Sequence, residues 1–286
     1  MKIDKSTKRL FAGAVLLTVL AALASYSFLS SRKERSITLA STTSTENSGL
    51  LGYLLPIFKD ETGIAVRVVA VGTGQAMRMA MKGDADVILV HHRPSEEEFI
   101  REGYGVERVA VMHNDFVIVG PASDPAGIKG MTDAAAALGR IHSSRAAFVS
   151  RGDDSGTHKR ELSLWAALGF QPGDDDANWY RESGSGQGAT LNVASELDGY
   201  CLSDRASWVT FANKRSLELL VEADPKLLNP YAVILVSPQK YPHIKGVEGQ
   251  KFIDWLVSKH GQQLIAGFRV EGQQLFFPDA LEATKE

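Results

Sequence analysis

The chain carries a single cysteine, Cys201, in 286 residues. That scarcity removes an intrachain disulfide, a cysteine-built zinc site and an iron–sulfur cluster together. Charge of one sign is not in excess either: 31 Lys and Arg stand against 34 Asp and Glu, a formal net charge of −3. A nucleic-acid binder concentrates basic residues that release counterions from the phosphate backbone, and no basic stripe follows the N-terminus, which argues against polyanion binding. Internal repeats, low-complexity tracts and long charge blocks are missing, and Asp174-Asp175-Asp176 reads as a solvated loop. What remains, 44% apolar and 23% charged residues, is the composition of a packed globular chain. Its length suits about two domains of roughly 150 residues each.

The N-terminus is an export segment. Lys2, Lys5, Lys8 and Arg9 precede an apolar run from Leu10 to Ala24, and Ala22-Leu23-Ala24 offers a small-residue cleavage pattern. Residues 1–35 are therefore assigned to a signal peptide or N-terminal anchor. Apolar residues continue to Leu29, so residues 10–29 are about long enough to span a bilayer if the segment is retained. No cysteine near the run permits a lipid-modified N-terminus, and twin arginines are absent. A periplasmic or otherwise extracytoplasmic location is expected.

From Ser36 strands and helices alternate. Ile37–Ala40, Ile64–Val71, Asp86–Val90 and Asp115–Val119 read as strands, the last ending at Gly120-Pro121; Leu50–Phe58, Gln75–Met81 and Ser95–Arg101 read as helices, with Pro56 working against the first. Such alternation predicts an α/β fold with a mostly parallel sheet covered on both faces. A middle segment repeats the pattern with a strand at Ala146–Ser150 and helices at Thr157–Leu168 and Ala189–Leu197. The strands Phe116–Val119 and Tyr231–Val236 bracket it, and Phe252–Leu256 begins a terminal helix. Paired crossovers of this kind are what a hinge between two lobes needs. The expected division is 36–117 plus 235–286 for lobe I and 118–234 for lobe II.

Four strand-to-helix turns concentrate hydrogen-bond donors. Ser41-Thr42-Thr43-Ser44-Thr45 places five hydroxyls between a strand and a helix, more than capping requires. Side-chain hydroxyls and backbone amides at a positive helix N-terminus form a seat for a small anion. Gly72-Thr73-Gly74 repeats the arrangement with less signal, since glycine is common in such loops. The third turn, Ser150 to His158, joins the Arg151 guanidinium to a Ser155-Gly156-Thr157 helix opening, a donor set that fits an oxyanion. Asp153 and Asp154 have the wrong sign for direct contact, so one of them, Asp153 foremost, is expected to fix Arg151 or cap the helix. The fourth turn, Ser183 to Thr190, supplies backbone donors around Gly188 and Ala189; it lacks the βαβ context of a dinucleotide fingerprint and otherwise reads as a linker.

An enzyme from another class competes with this reading: a serine-type hydrolase using Ser155 and His158, with Asp153 and Asp154 alongside. Residues of one helix end are badly placed to orient a base, and a capping serine lacks the exposed elbow of G-x-S-x-G, so no catalytic residue is assigned. His91, His92 and His113 have no companions at metal-ligand spacing, so neither a metal nor a cofactor is expected.

Thr42-Thr43-Ser44, Val71-Gly72-Thr73-Gly74, Asp86 to His91, Asn114 to Pro121, Ser150 to His158, Gly188-Ala189-Thr190-Leu191 and Asn229-Pro230-Tyr231 together resemble the tungstate-binding proteins of Tup-type ABC importers, across nearly the whole chain after the export segment. The family motif's first threonine is Ser41 here, which keeps the hydroxyl. The resemblance implies a type II periplasmic binding protein, two α/β lobes with mixed, mostly parallel sheets closing on an oxyanion, monomeric and partnered by an inner-membrane permease. It places the anion contacts on Thr43, Ser44, Thr73, Arg151, Ser155 and Gly156, with Thr42, Gly74, Asp153, Thr157, Gly188 and Ala189 as further candidates. Phosphate-binding proteins are the nearest rivals. A hydrogen phosphate needs an acceptor for its own proton, and the third strand here runs into His91-His92-Arg93 without an acid, which favours tungstate, molybdate or sulfate.

Overall fold

The computed structural model describes residues 35–173 and 178–280; the expected export segment, apart from Arg35, and the three-aspartate run lie outside them. The chain runs β1 (Arg35–Thr42), α1 (Thr43–Asn47), α2 (Leu50–Thr62), β2 (Ile64–Val71), α3 (Thr73–Met81), β3 (Val87–Val90), α4 (Arg93–Arg101) and β4 (Gly105–Pro121). It continues through α5 (Ala134–Ser144), β5 (Phe148–Ser150), α6 (Gly156–Ala166), β6 (Tyr180–Glu182), α7 (Gln187–Glu196), β7 (Cys201–Asp204), α8 (Arg205–Thr210) and β8 (Leu217–Val221). β9 (Leu228–Val236), α9 (Gly246–Val257) and α10 (Lys259–Gly267) follow, with short strands β10 (Arg269–Val270), β11 (Gln273–Gln274) and β12 (Phe277–Pro278) at the end. Among the described residues no helix is long and apolar enough to cross a membrane.

The first sheet has the order β12-β4-β9-β3-β1-β2. β1 and β3 pair in parallel, with Leu39 opposite Val87, while β9 runs antiparallel to both β3 and β4. The sheet is therefore mixed, and its antiparallel share is larger than a simple alternation of strands and helices implies. The reason is β9: it returns from the distant middle segment and inserts between β3 and β4 with its direction reversed. Apolar residues on one sheet face, including Leu39, Leu89 and Val233, pack against α2 and against α9 at Phe252; those on the other, including Ala40, Ile88 and Ile234, bury α3 and α4. Helix α2 survives Pro56 because Leu50, Leu51, Leu54 and Phe58 form one buried stripe, and tertiary burial outweighs the lost backbone bond.

The pairing of β4 changes along its length. As far as Asp115, opposite Leu228, it pairs with β9; from Phe116, opposite Asp204, it pairs with β7 and then β8. One strand thus serves both lobes. All of β9 lies in the first sheet, from Leu228 opposite Asp115 onward. The second lobe's core holds Phe148, Trp165, Trp179 and Tyr180 as edge-packed and stacked rings, with Phe148 and Trp165 at 80° and centroids 5.5 Å apart.

Candidate anion-binding site

Each of the four donor-rich turns falls where a strand gives way to a helix. In the first, Thr42 is the N-cap of α1: its Oγ1 accepts from the Thr45 amide at 3.3 Å and lies 3.0 Å from the Ser44 hydroxyl. Ser41 is spent elsewhere, its hydroxyl donating to the Leu89 carbonyl at 2.8 Å. Helix α3 is capped by Gly72 and α7 by Gly186, and neither receives a side-chain cap bond, so the amides of their first turns stay open. On α6, Ser155 is the N-cap and its Oγ accepts from the His158 amide at 3.2 Å.

Four turns meet at one cavity of about 200 Å³. Thr43 comes from the first turn, Gly72, Gly74, Gln75 and Arg78 from the second, Arg151, Asp153 and Asp154 from the third, and Gly186 from the fourth. Arg151 is buried, with a side chain only 4% exposed. Both Nε, at 3.1 Å, and Nη2, at 2.5 Å, donate to the same Oδ2 of Asp153, whose Oδ1 accepts from the Ser155 amide at 3.2 Å. Asp153 therefore fixes the orientation of the guanidinium. Gly152 permits this turn: its φ is +59°, and a Cβ there would lie 2.7 Å from the Glu182 Cβ.

Thr43, Gly74, Arg151 and Asp153 line the cavity directly. Thr42, Ser44, Thr73, Ser155 and Thr157 are buried in the same turns. The hydroxyls of Thr73 and Thr157 are buried with no hydrogen-bond partner. A buried orphan hydroxyl is costly, and a small anion is the kind of group that satisfies it. Gly156 opens α6 against the His91 ring. Gly188 and Ala189 are exposed residues of the first turn of α7, which reaches the cavity only at Gly186.

The sequence does not point to Gly72, Gln75, Arg78, Asp154 or Gly186 as anion contacts. Gln75 and Arg78 are three apart on α3 and share a face, a spacing that becomes informative only once Gly74 is known to border the cavity. Arg78 is a second cation there, 3.8 Å from Asp154, whose other oxygen meets Lys159 at 3.4 Å.

The hydrolase geometry is not built. Ser155 Oγ serves a backbone amide, and His158 Nδ1 accepts from the Asp154 amide at 3.2 Å, so hydroxyl and imidazole are bound to the main chain rather than to each other. Among the described residues no three His, Cys, Asp or Glu gather as a metal-binding group.

A larger cavity, about 490 Å³, opens beside the crossover strands and is lined by His113, Asp115, Arg205, Leu228 and Phe277 among others. Its arginine is already paired with two carboxylates: Arg205 forks onto Asp115 at 2.7 and 2.6 Å and reaches Glu222 at 2.7 Å.

The PBP superfamily domain matches residues 30–260 of the chain. The tungstate-binding protein TupA of Peptoclostridium acidaminophilum is 46% identical over 249 residues, covering 86% of this chain and 86% of that protein. Among solved structures, the tungstate-binding protein TupA of Desulfovibrio alaskensis superposes with a TM-score of 0.76 at 44% identity, over 86% of this chain and 99% of its own. The tungstate ABC transporter structure from Geobacter sulfurreducens gives a TM-score of 0.74 at 43% identity, over 82% and 99%. With its two-lobe α/β architecture and four turns converging on one small cavity, the chain belongs to the PBP superfamily and, within it, to the family of TupA tungstate-binding proteins.

Proposed function

We propose that the chain captures a fully deprotonated tetrahedral oxyanion, tungstate foremost, outside the cytoplasm and delivers it as a monomer to the permease of an ABC importer. It is a binding protein and not an enzyme. The observation that carries the reading is the convergence of four helix-opening turns and the buried Arg151 on a cavity of about 200 Å³. Lobe I contributes the uncharged donors of Thr43, Ser44, Thr73 and the α3 amides, with the exposed Arg78 at the cavity edge; lobe II contributes Arg151 and the Ser155-Gly156 opening of α6. An anion that fills both sets is desolvated into matched donors, and its differential affinity for the closed form sets how far binding shifts the lobes. The lobes are taken as 36–117 plus 235–286 and 118–234, with β4 and β9 as the crossovers. Support for a crossover near 117 comes from β4, whose pairing changes between Asp115 and Phe116.

A melting-temperature panel with tungstate, molybdate, sulfate and phosphate tests this, because a ligand that binds only the native state raises its stability. Tungstate is expected to give the largest rise and phosphate the smallest. A chain whose melting temperature responds to none of the four would sink the reading.

A further inference from the structure

Behind the anion-facing turns runs a chain of buried polar groups that uses both crossover strands. His91, one residue beyond β3, packs against the opening of α6 so closely that a Cβ on Gly156 would lie 2.5 Å from its Cε1 and 3.2 Å from its Nε2. Its ring stacks on Tyr231 with centroids 4.7 Å apart, and its Nδ1 lies 2.9 Å from Asn229 Oδ1. Asn229 and Asn114 are register partners on β9 and β4, with their amide groups 2.6 Å apart. The Tyr231 hydroxyl is 3.3 Å from each amide. His91 is 7% exposed and the other three are 1%. The far nitrogen, His91 Nε2, is buried and has no partner.

Burial holds this imidazole neutral, lowering its pKa to about 4, with Arg151 among the charges that act on it. A neutral imidazole carries one hydrogen, and the partner of Nδ1 decides which nitrogen holds it. With Asn229 Oδ1 toward the ring, Nδ1 donates and Nε2 presents a lone pair. With both amides turned over, the Tyr231 hydroxyl donates to Asn114 Oδ1, Asn114 Nδ2 to Asn229 Oδ1, and Asn229 Nδ2 to His91 Nδ1, leaving the hydrogen on Nε2. Both orders satisfy every member of the chain, because amide nitrogen and oxygen occupy equivalent outlines.

We propose that His91 is a specificity-determining residue of the oxyanion site, and that the Tyr231–Asn114–Asn229 chain sets whether its Nε2 offers the anion a hydrogen or a lone pair. The proposal rests on the oxyanion reading. His91 belongs to it because the ring touches Gly156, the first residue of α6 and neighbour of Ser155, within the field of Arg151; the two line an adjoining cavity of about 140 Å³ beside the anion cavity. A fully deprotonated dianion selects the order with hydrogen on Nε2; a hydrogen phosphate, which brings its own proton, selects the lone pair.

Nitrogen NMR of the full chain labelled at histidine tests this directly. Without anion, His91 Nε2 is expected in the unprotonated range; saturation with tungstate moves it to the protonated range. Tungstate that binds and leaves the tautomer unchanged overturns the inference alone, whereas a chain that binds no tungstate overturns the oxyanion reading. Asn229→Asp supplies an independent measure, since a carboxylate only accepts and fixes the hydrogen on Nδ1. By calorimetry its preference for tungstate over phosphate should narrow by about 10- to 100-fold, the effect expected for one hydrogen bond to a charged group. An unchanged ratio in a folded variant also overturns the inference.

Discussion

Two arginines beside two cavities show what makes an anion seat. Arg205 borders the larger space, yet its guanidinium is forked onto Asp115 and shared with Glu222, and those carboxylates push its pKa further up. Arg151 borders a space less than half that size, is buried more deeply, and directs two of its N–H groups to a single oxygen of one aspartate. The first arginine is a lock between β4 and α8. The second is held from one side and keeps donors for something else. Positive charge left over after internal pairing, two carboxylates on Arg205 against one on Arg151, rather than volume, separates the two.

Replacing each arginine is the sharpest way to break this contrast. Arg151→Ala should weaken tungstate binding by about 2 to 5 kcal/mol, as for removal of one partner from a buried charge pair, read by calorimetry. An affinity within a factor of about 3 of the parent would end the assignment. A second expectation concerns a buried acid on α6 that, unlike Asp153, has no cation. Glu161 accepts from Tyr180 at 2.7 Å and Trp165 at 3.2 Å, and burial raises its pKa to about 7. The folded chain keeps a proton that the unfolded chain loses near its ordinary value of 4.5, so stability from this group is present below that pH and is lost as pH rises toward 7. The change is on the order of 3 kcal/mol. Glu161→Gln should flatten it, making the variant the more stable protein in urea at pH 8 but not at pH 5. His91 works in the opposite sense: its contribution is present above its ordinary value of 6.5 and is lost as pH falls toward about 4.

Arg205→Met should cost roughly 1 to 3 kcal/mol of unfolding stability by leaving Asp115 unpaired, while tungstate affinity stays within about 3-fold. A large loss of affinity without loss of stability would erase the distinction between the two arginines. Gly156→Ala should have the smallest effect on stability, about 1 kcal/mol. It should still lower tungstate affinity measurably, because its methyl group displaces the His91 ring.

Much of the architecture was readable where local pattern and tertiary environment agree. The β-branched run at Ile64–Val71 and the apolar Asp86–Val90 segment became β2 and β3 because burial and propensity favour the same state. Helix α5 escaped detection although Asp133 caps it and Leu138 and Ile141 are three apart; its run of alanines hides the apolar stripe. The first half of β4 was equally hidden, since Glu107 and Arg108 interrupt the apolar pattern and Arg108 is there to pair with the buried Glu96 at 2.7 Å. β7 and β8 are too short to stand out without their partner strand. At the cavity, the hydroxyl turn and Arg151 were legible as chemistry. Arg78, Gln75 and the His91–Asn229 chain were not, because their meaning depends on which strands cross, and crossing is a property of topology rather than of any local window.

The two crossovers have a mechanical consequence. β4 and β9 pair along a register from Gly105–Val236 to Asp115–Leu228, and their shared ladder ends there, one pair beyond Asn114 and Asn229. A pair of bonded strands behaves as a leaf spring: it flexes readily across its flat face and resists being sheared or skewed within it. Bending of one half against the other across that face would be the soft direction, with its line one register pair from the buried asparagines.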